Sequence, residues 1–310
     1  MEEKLTTNKI SKKYTVYEND LKFHNVINPK KTNWHTEDVK QKYLSNITNT
    51  LDYRISEAKK NKYEYLDLSY LNLTILPNFT NHVDYQKLKN IKFLFVNNNK
   101  IENIDNSLLQ FKLLQVLDIS CNKIKKIESI PNSLIELVCH NNELEFVSES
   151  NNLLTFDCSF NKMKSLSNYS LVQNLMCENN NITELNSFIN AKHITIKNNP
   201  LIKLHDQPTV EFLNIENTSL SNSLPNMPKL KWLICHDTNI RNIELLRNIE
   251  HIEMTNCSIS EIPYLEYLQD ILCDLTNKLK INEKMKLKTY LIERNHVYYV
   301  FSTKNSLTTK

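Results

Sequence analysis

The chain has 310 residues, of which 40% are hydrophobic and 24% are charged, a composition typical of a folded globular protein. Glycine is absent, and this excludes phosphate-binding P-loops, dinucleotide fingerprints and nucleophile elbows, because those sites need glycine where the backbone approaches a ligand or takes a positive φ. The net charge of +3 is unevenly spread, since residues 63–275 carry 17 basic and 25 acidic residues and the two ends are basic.

The N-terminal part of the chain divides into two predicted segments. Residues 1–33 form a basic stretch that we expect to be mostly disordered. Residues 34–62 are predicted to form a capping helix, because Thr36 precedes two acidic residues and resembles a helix N-cap. Apolar residues then recur every three or four positions, which places them on one helix face. These residues are Val39, Tyr43, Ile47, Leu51, Ile55 and Ala58.

A repeated pattern follows from Tyr63 to Ile281. Each unit has apolar residues at its first, fourth and sixth positions, an asparagine at its ninth and another apolar residue at its eleventh, as in LQVLDISCNKI from Leu114. From Asn122 onward the ninth position advances in steps of 19 or 20 residues. The residues at this position are Asn99, Asn122, Asn142, Asn161, Asn180, Asn199, Thr218, Thr238, Cys257 and Thr276.

This pattern resembles the leucine-rich repeat, with about eleven repeats over residues 63–281. The resemblance implies an α/β fold: a right-handed solenoid with a parallel sheet on its concave side, an N-terminal helical cap and a short C-terminal cap. The join between the capping helix and the first repeat is similar to that of intracellular leucine-rich repeat proteins of bacterial effectors, amoebae and giant viruses. We therefore expect a cytoplasmic protein, in the host cytoplasm if the chain is viral or an effector.

The repeat pattern also makes local predictions. The asparagine side chains are expected to bond backbone groups and to form a ladder, which weakens in the last four units where Thr or Cys replaces Asn. About ten residues remain after each strand and turn, too few for an average helix, so extended or 3₁₀ connections are expected. Residues 78–90 should form a longer loop or helical turn. Residues 282–302 are predicted to be a cap made of a short helix and an apolar strand, and residues 303–310 a disordered tail.

The seven cysteines raise three alternatives: a metal site, reactive thiols or buried core residues. Five of them occupy the sixth position of the unit, where other units carry Val, Ile or Met, so the core interpretation is favoured. They are Cys139, Cys158, Cys177, Cys235 and Cys273. Cys121, next to the ladder, is the one expected to be exposed. His236, His251 and Glu253 lie near one another in the pattern, but they lack the further ligands of a zinc site, and no metal or cofactor is predicted.

The leading functional hypothesis is a non-enzymatic module that binds a protein partner on the concave face. Eleven acidic and four basic residues are expected on that face, so nucleic acid is not expected to bind there. Aromatic residues and histidines at one outward position predict the contact surface. The predicted partner-binding residues are His193, Phe212, Trp232, Ile234, His236 and His251. The alternatives are a structural or assembly scaffold that acts by self-association and, less favoured, a fragment of a leucine-rich repeat effector ubiquitin ligase.

Overall fold

The structure is a computed structural model. It describes residues 50–274, 279–285, 287, 289–294 and 297–301. The predicted disordered segments 1–33 and 303–310, and the part of the predicted capping helix before residue 50, lie outside these residues.

A single sheet of 13 strands runs through the described chain, and each repeat adds one strand parallel to the strand before it. Among the described strands of this sheet, only the last one pairs antiparallel with its neighbour. In order across the sheet the strands are β1 (Tyr65–Asp67), β2 (Phe93–Phe95), β3 (Val116–Asp118), β5 (Glu136–Val138), β7 (Thr155–Asp157), β8 (Asn174–Met176), β10 (His193–Thr195), β12 (Phe212–Asn214), β14 (Trp232–Ile234), β16 (His251–Met254), β18 (Asp270–Asp274), β20 (Thr289–Arg294) and β21 (Val297–Phe301).

The chain returns between these strands through extended connections, as the short repeat predicts. Short strands within the connections pair in parallel two at a time. The pairs are β4 (Lys126–Ile127) with β6 (Phe146–Val147), β9 (Glu184–Leu185) with β11 (Lys203–Leu204), β13 (Ser221–Ser223) with β15 (Asn239–Asn242), and β17 (Glu261–Ile262) with β19 (Lys280–Ile281). One connection contains a 3₁₀ helix, Asn106–Gln110, and the longer connection over residues 78–90 contains the short helix α2, Tyr85–Leu88.

The core is formed by every second residue of the main-sheet strands together with apolar residues of the connections. On β14 and just after it, Leu233 and Cys235 are fully buried, whereas Trp232 and Ile234 point to the other face and are half-buried. The five cysteines predicted to lie in the core are all buried, and their prediction is confirmed. Burial raises the pKa of the Cys139 and Cys158 thiols well above the ordinary value. Cys121 is half-buried, so it is more accessible than the others but not fully exposed.

The asparagine ladder is present and joins neighbouring repeats. Asn161 is representative: its Nδ2 donates to the carbonyl oxygens of Cys139 and Cys158, each at 3.0 Å, and its Oδ1 accepts from the backbone N–H of Leu144 at 2.8 Å. Cys139 and Leu144 belong to the preceding repeat, so one buried side chain ties two repeats together. Asn122, Asn142, Asn180 and Asn199 repeat these bonds.

The ladder weakens as predicted from Thr218 to Cys257, while Thr276, its last predicted member, lies outside the described residues. The Thr218 and Thr238 hydroxyls each donate at 2.8 Å to a carbonyl three residues earlier in their own repeat. Cys257 makes a longer contact of the same kind, 3.6 Å from Sγ to the Met254 carbonyl. The two threonines therefore keep the bond within a repeat but not the bonds that an asparagine makes to the preceding repeat, whereas the Cys257 thiol also contacts the Cys235 thiol of the preceding repeat.

The residue before each ladder position from Asn99 to Cys257 has a left-handed backbone conformation. Its φ lies near +50°, and without glycine most repeats place Asn or Asp there, the residue types that tolerate this region best. The residues are Asn98, Cys121, Asn141, Phe160, Asn179, Asn198, Asn217, Asp237 and Asn256. Several of their amides also bond from one repeat to the next, as between Asn217 Nδ2 and Asn198 Oδ1 at 2.9 Å. Cys121 and Phe160 hold the same conformation without that tolerance.

Helix α1, Leu51–Lys60, covers the first strand of the sheet. It begins after Thr50, whose hydroxyl accepts from the Tyr53 N–H at 3.2 Å, and it buries Ile55 and Ala58 as the sequence predicts. Arg54, which the sequence pattern does not single out, is 2% exposed. Its guanidinium lies 3.1 Å from Asp67 Oδ2 and donates to the Ser69 carbonyl at 2.9 Å, so an ion pair fixes the helix to β1.

The end of the array differs from its prediction. The described part of residues 282–302 contains no helix, and the chain instead forms the hairpin β20–β21. The apolar strand was expected, and the helix was wrong. Strand β20 pairs in parallel with β18 and so extends the repeat array by one more strand. Among the described residues there is no helix that combines the length and apolar character needed to cross a membrane.

We expect Asn161→Ala to destabilise the protein by about 2 kcal/mol or more, because it removes several buried hydrogen bonds and leaves their backbone partners unsatisfied. Thr238→Ala removes a single bond and should cost about 1 kcal/mol. Urea unfolding of the two variants against the wild type measures this difference. Equal losses for the two variants would contradict the assignment of the ladder as the link between repeats.

We expect Phe160→Asn to stabilise the protein by about 1 kcal/mol, because asparagine tolerates the left-handed conformation that phenylalanine adopts at a cost. Phe160 is 47% exposed, so its replacement removes little packing. Phe146→Asn is the matched control, since Phe146 is 49% exposed but lies in a strand, where asparagine brings no gain. Thermal unfolding of both variants is the measurement, and a lower melting temperature for Phe160→Asn would overturn the explanation.

Candidate functional site

The surface that could bind a partner is the face of the main sheet that points away from the core. It is the face that the repeat pattern predicts to be concave, and it is termed here the outer face. Its residues alternate with core residues along each strand, because successive side chains of a strand point to opposite sides. On strands β8, β10, β14 and β16 the first and third residues are half-buried, while the residue between them is buried. The outer face therefore presents side chains in columns that cross the strands.

One column contains four of the six residues predicted to bind a partner. The strand register aligns His193 with Phe212, Phe212 with Trp232, and Trp232 with His251. The Trp232 and His251 rings are stacked, with centroids 4.3 Å apart and planes inclined by 26°. The His193 and Phe212 rings are 6.4 Å apart and tilted by 54°. The sequence therefore correctly predicted that these side chains form a contiguous row.

The exposure of this row differs from the expectation of solvent-facing aromatic rings. Phe212 is only 4% exposed, so it offers little surface to a partner. Trp232, His193 and His251 are half-buried. Phe212 is flanked by strands β10 and β14, and the His193 ring packs against it. The accessible part of the row is centred on Trp232 and His251.

Each histidine of the site lies against a polar side chain of the adjacent strand. His193 Nδ1 is 2.8 Å from Asn174 Oδ1, and His251 Nδ1 is 2.7 Å from Asp270 Oδ2. Burial lowers the pKa of His193. The repeat pattern does not single out Asn174, and it marks Asp270 only as one of the outward acids, because these contacts depend on the register between repeats. That register could have been read from the ladder spacing.

Ile234 lies on the same strand as Trp232, and His236 lies in the turn that follows this strand. Ile234 is half-buried and aligns with Glu253 of β16. His236 Nδ1 accepts the Thr255 N–H at 2.9 Å, and its Nε2 lies 3.4 Å from Glu253 Oε2. Burial acts to lower the pKa of His236, but the contact with Glu253 outweighs it, and the pKa is raised from its ordinary value.

Three acidic residues of the outer face are buried, which corrects the expected charge of that face. Glu136, Asp118 and Asp157 are only 1%, 4% and 8% exposed. Asp118 Oδ1 accepts from Ser120 N at 2.9 Å, and Asp157 Oδ1 accepts from Ser159 N at 3.0 Å. Burial, then the nearby charges of Asp118 and Asp157, raise the pKa of Glu136 to about 8, so this carboxyl is mostly neutral at pH 7. The outer face is less acidic around β3, β5 and β7 than the count of acids suggested.

Two lysines of the outer face each pair with a glutamate of the preceding repeat. Lys197 Nζ lies 3.7 Å from Glu178 Oε2, and Lys231 Nζ lies 3.4 Å from Glu211 Oε2. A cavity of about 300 Å³ adjoins this second pair and is lined in part by Glu250. Within the described residues, no group of three or more His, Cys, Asp and Glu side chains is arranged to hold a metal ion.

Comparison with known proteins supports the fold. No protein-family model matches the chain, and no curated protein sequence matches it. Among solved structures, YopM, a leucine-rich effector protein from Yersinia pestis, has a TM-score of 0.63 at 21% identity over 78% of this chain and 69% of that chain. The leucine-rich repeat domain of APL1B has a TM-score of 0.50 at 17% identity, over 80% of this chain and 82% of that chain. The chain therefore has the leucine-rich repeat fold, as its repeat pattern predicts.

We expect Glu136→Gln to stabilise the protein at neutral and alkaline pH. In the folded protein the Glu136 carboxyl keeps its proton up to about pH 8, whereas in the unfolded chain it ionises around its ordinary pKa of 4.5. The wild type therefore loses stability as the pH rises through this window, by at most about 1.4 kcal/mol per pH unit. Glutamine removes this dependence.

The test of this expectation is the melting temperature of both proteins between pH 4 and pH 8. The two curves should nearly coincide at the acidic end and separate as the pH rises, with the variant higher. Glu145→Gln, at an exposed position, is the control and should follow the wild type. A variant that is less stable than the wild type near pH 8 would show that Glu136 is ionised and stabilised in the folded protein.

Proposed function

We propose that this protein of the leucine-rich repeat fold is a non-enzymatic module that binds a protein partner on the outer face of its main sheet. The contact surface comprises His193, Trp232, Ile234, His236 and His251 and is centred on Trp232, while Phe212 lies covered within the row and supports it. The observation that carries the proposal is the in-register stack of Trp232 on His251. A half-buried indole held in place by a neighbouring ring is the kind of rigid aromatic group that anchors protein interfaces.

The position of the stack favours a functional role over a purely structural one. The core beneath it is filled by Leu233 and Ile252, which are buried on the opposite side of the same strands. Trp232 and His251 are therefore not needed to complete the core. Tryptophan is also among the residues that most often dominate the binding energy of protein interfaces. Without a partner, its position on this face leaves a large apolar side chain partly exposed to water.

The setting proposed for this interaction is the cytoplasm, of the host if the chain is viral or an effector. All seven cysteines are free thiols, which suits a reducing compartment. Nucleic acid is not proposed as the partner on this face, because the partly exposed carboxylates around Trp232 would repel phosphate groups.

The proposal is tested by affinity capture from the cells in which the protein naturally occurs, with wild-type and Trp232→Ala proteins as baits. Removing an aromatic anchor from the centre of an interface costs about 2 kcal/mol or more, which is roughly thirtyfold in affinity. We expect Trp232→Ala to lose the specifically captured protein while its melting temperature stays close to that of the wild type.

Phe146→Ala is the matched control, because it removes an exposed aromatic ring from a connecting strand away from the outer face. It should capture the partner as the wild type does. If Trp232→Ala captured the same partner at wild-type level and melted earlier, Trp232 would be a packing residue and this site would be wrong. Capture of the chain itself as the main product would favour the scaffold hypothesis, which light scattering of the purified protein would then check.

A further inference from the structure

The surroundings of Trp232 carry more carboxylates than ammonium groups. Lys231 lies just before β14 and Glu211 just before β12, and their side chains offset each other at a distance of 3.4 Å. In the next repeat, Glu250 lies just before β16 and Glu253 lies within it, on either side of His251, the residue aligned with Trp232. Both are half-buried and so remain partly accessible to a partner.

The same imbalance extends along the columns on either side. Asp270 continues the row beyond His251, and its side chain is 15% exposed. Glu216 is half-buried one strand before His236, and Asp237 is exposed at the turn that follows. The nearby Lys197 is already paired with a glutamate. The outer face from β12 to β18 is therefore acidic. At the other end of the sheet, the acids of β3, β5 and β7 are buried and contribute less charge to the surface.

The combination of an indole and flanking carboxylates points to one side-chain chemistry in the partner. Guanidinium groups stack on aromatic faces and pair with carboxylates through two parallel hydrogen bonds. We infer that the partner meets this surface with a basic segment containing arginine, whose guanidinium packs against Trp232 and pairs with Glu250 or Glu253. This inference rests on the function proposed above and names the chemistry of the partner.

Other occupants fit the surface less well. An acidic segment would place like charges opposite each other without screening at close range. A lysine-rich segment would meet the carboxylates, but its compact ammonium group lacks the planar shape that stacks on an indole and pairs with a carboxylate at the same time. Arginine alone uses both features of the site.

The test uses the full chain with the substitution Trp34→Phe. The chain has two tryptophans, so Trp232 is then the only source of tryptophan fluorescence. Hexa-arginine, hexalysine and hexaglutamate peptides are titrated at an ionic strength of about 0.15 M, where weak long-range attraction is screened. We expect hexa-arginine to bind and to change the Trp232 fluorescence, and to bind more tightly than hexalysine. Hexaglutamate should not bind.

A pair of double variants separates the local carboxylates from the charge of the whole protein. Glu250→Gln with Glu253→Gln should weaken hexa-arginine binding at least about tenfold. Glu145→Gln with Glu149→Gln removes the same charge from two exposed positions outside the outer face and should leave binding unchanged. Circular dichroism confirms that each variant is folded.

Three results would overturn the inference: equal binding of hexalysine and hexa-arginine, equal losses in the two double variants, or no binding of hexa-arginine. The comparison of peptides on the protein with intact carboxylates decides the question even if a variant fails to fold. Failure of the arginine inference can be distinguished from failure of the proposed function. A partner lost with Trp232→Ala but kept with the Glu250 and Glu253 replacements would overturn only the arginine inference.

Discussion

The structure depends on how the chain leaves each strand of the main sheet without glycine. At that point the backbone must turn into the connection, and its polar groups lie inside the stack, where water cannot reach them. The ladder asparagine solves both problems, because its amide donates to carbonyls of two repeats and accepts an N–H of the preceding one. The left-handed residue before it supplies the change of direction. Everything else, including the sheet register and the row of outer-face side chains, follows from repeating this turn at a nearly constant spacing.

The sequence predicted the parts of the structure that this turn controls. The positions of the core residues, the buried cysteines and the alignment of His193, Phe212, Trp232 and His251 could all be read from the repeat spacing, because each depends on one position within the repeat. The extended connections could be predicted for the same reason, since few residues remain between strands. The hairpin at the end could not, because β20 and β21 lie beyond the last recognisable repeat and no ladder residue marks their register.

The features that escaped prediction are those that depend on neighbouring repeats. Nothing within its own repeat distinguishes Glu136 from an exposed acid, and its burial and raised pKa arise from its surroundings, Asp118 and Asp157 of the adjacent strands included. Phe212 is covered in the same way, between two strands and against the His193 ring. The ion pair of Arg54 with Asp67 also depends on the strand that lies beside the helix, and nothing in the helix pattern marks it. Pattern gives the direction of a side chain, whereas its exposure is set by what lies beside it.

The change from asparagine to threonine and cysteine along the ladder has a consequence for the dynamics of the array. A repeat array unfolds locally, and its ends open more easily where the coupling between neighbouring repeats is weaker. Thr218 and Thr238 lie in the repeats that carry Phe212 and Trp232, so the surface proposed for binding sits on the more loosely coupled half. Amide hydrogen exchange would then be faster in these repeats than in those of Asn142 to Asn199. A partner bound to these repeats would slow their amide exchange, because it would hold neighbouring repeats together along the whole length of the contact.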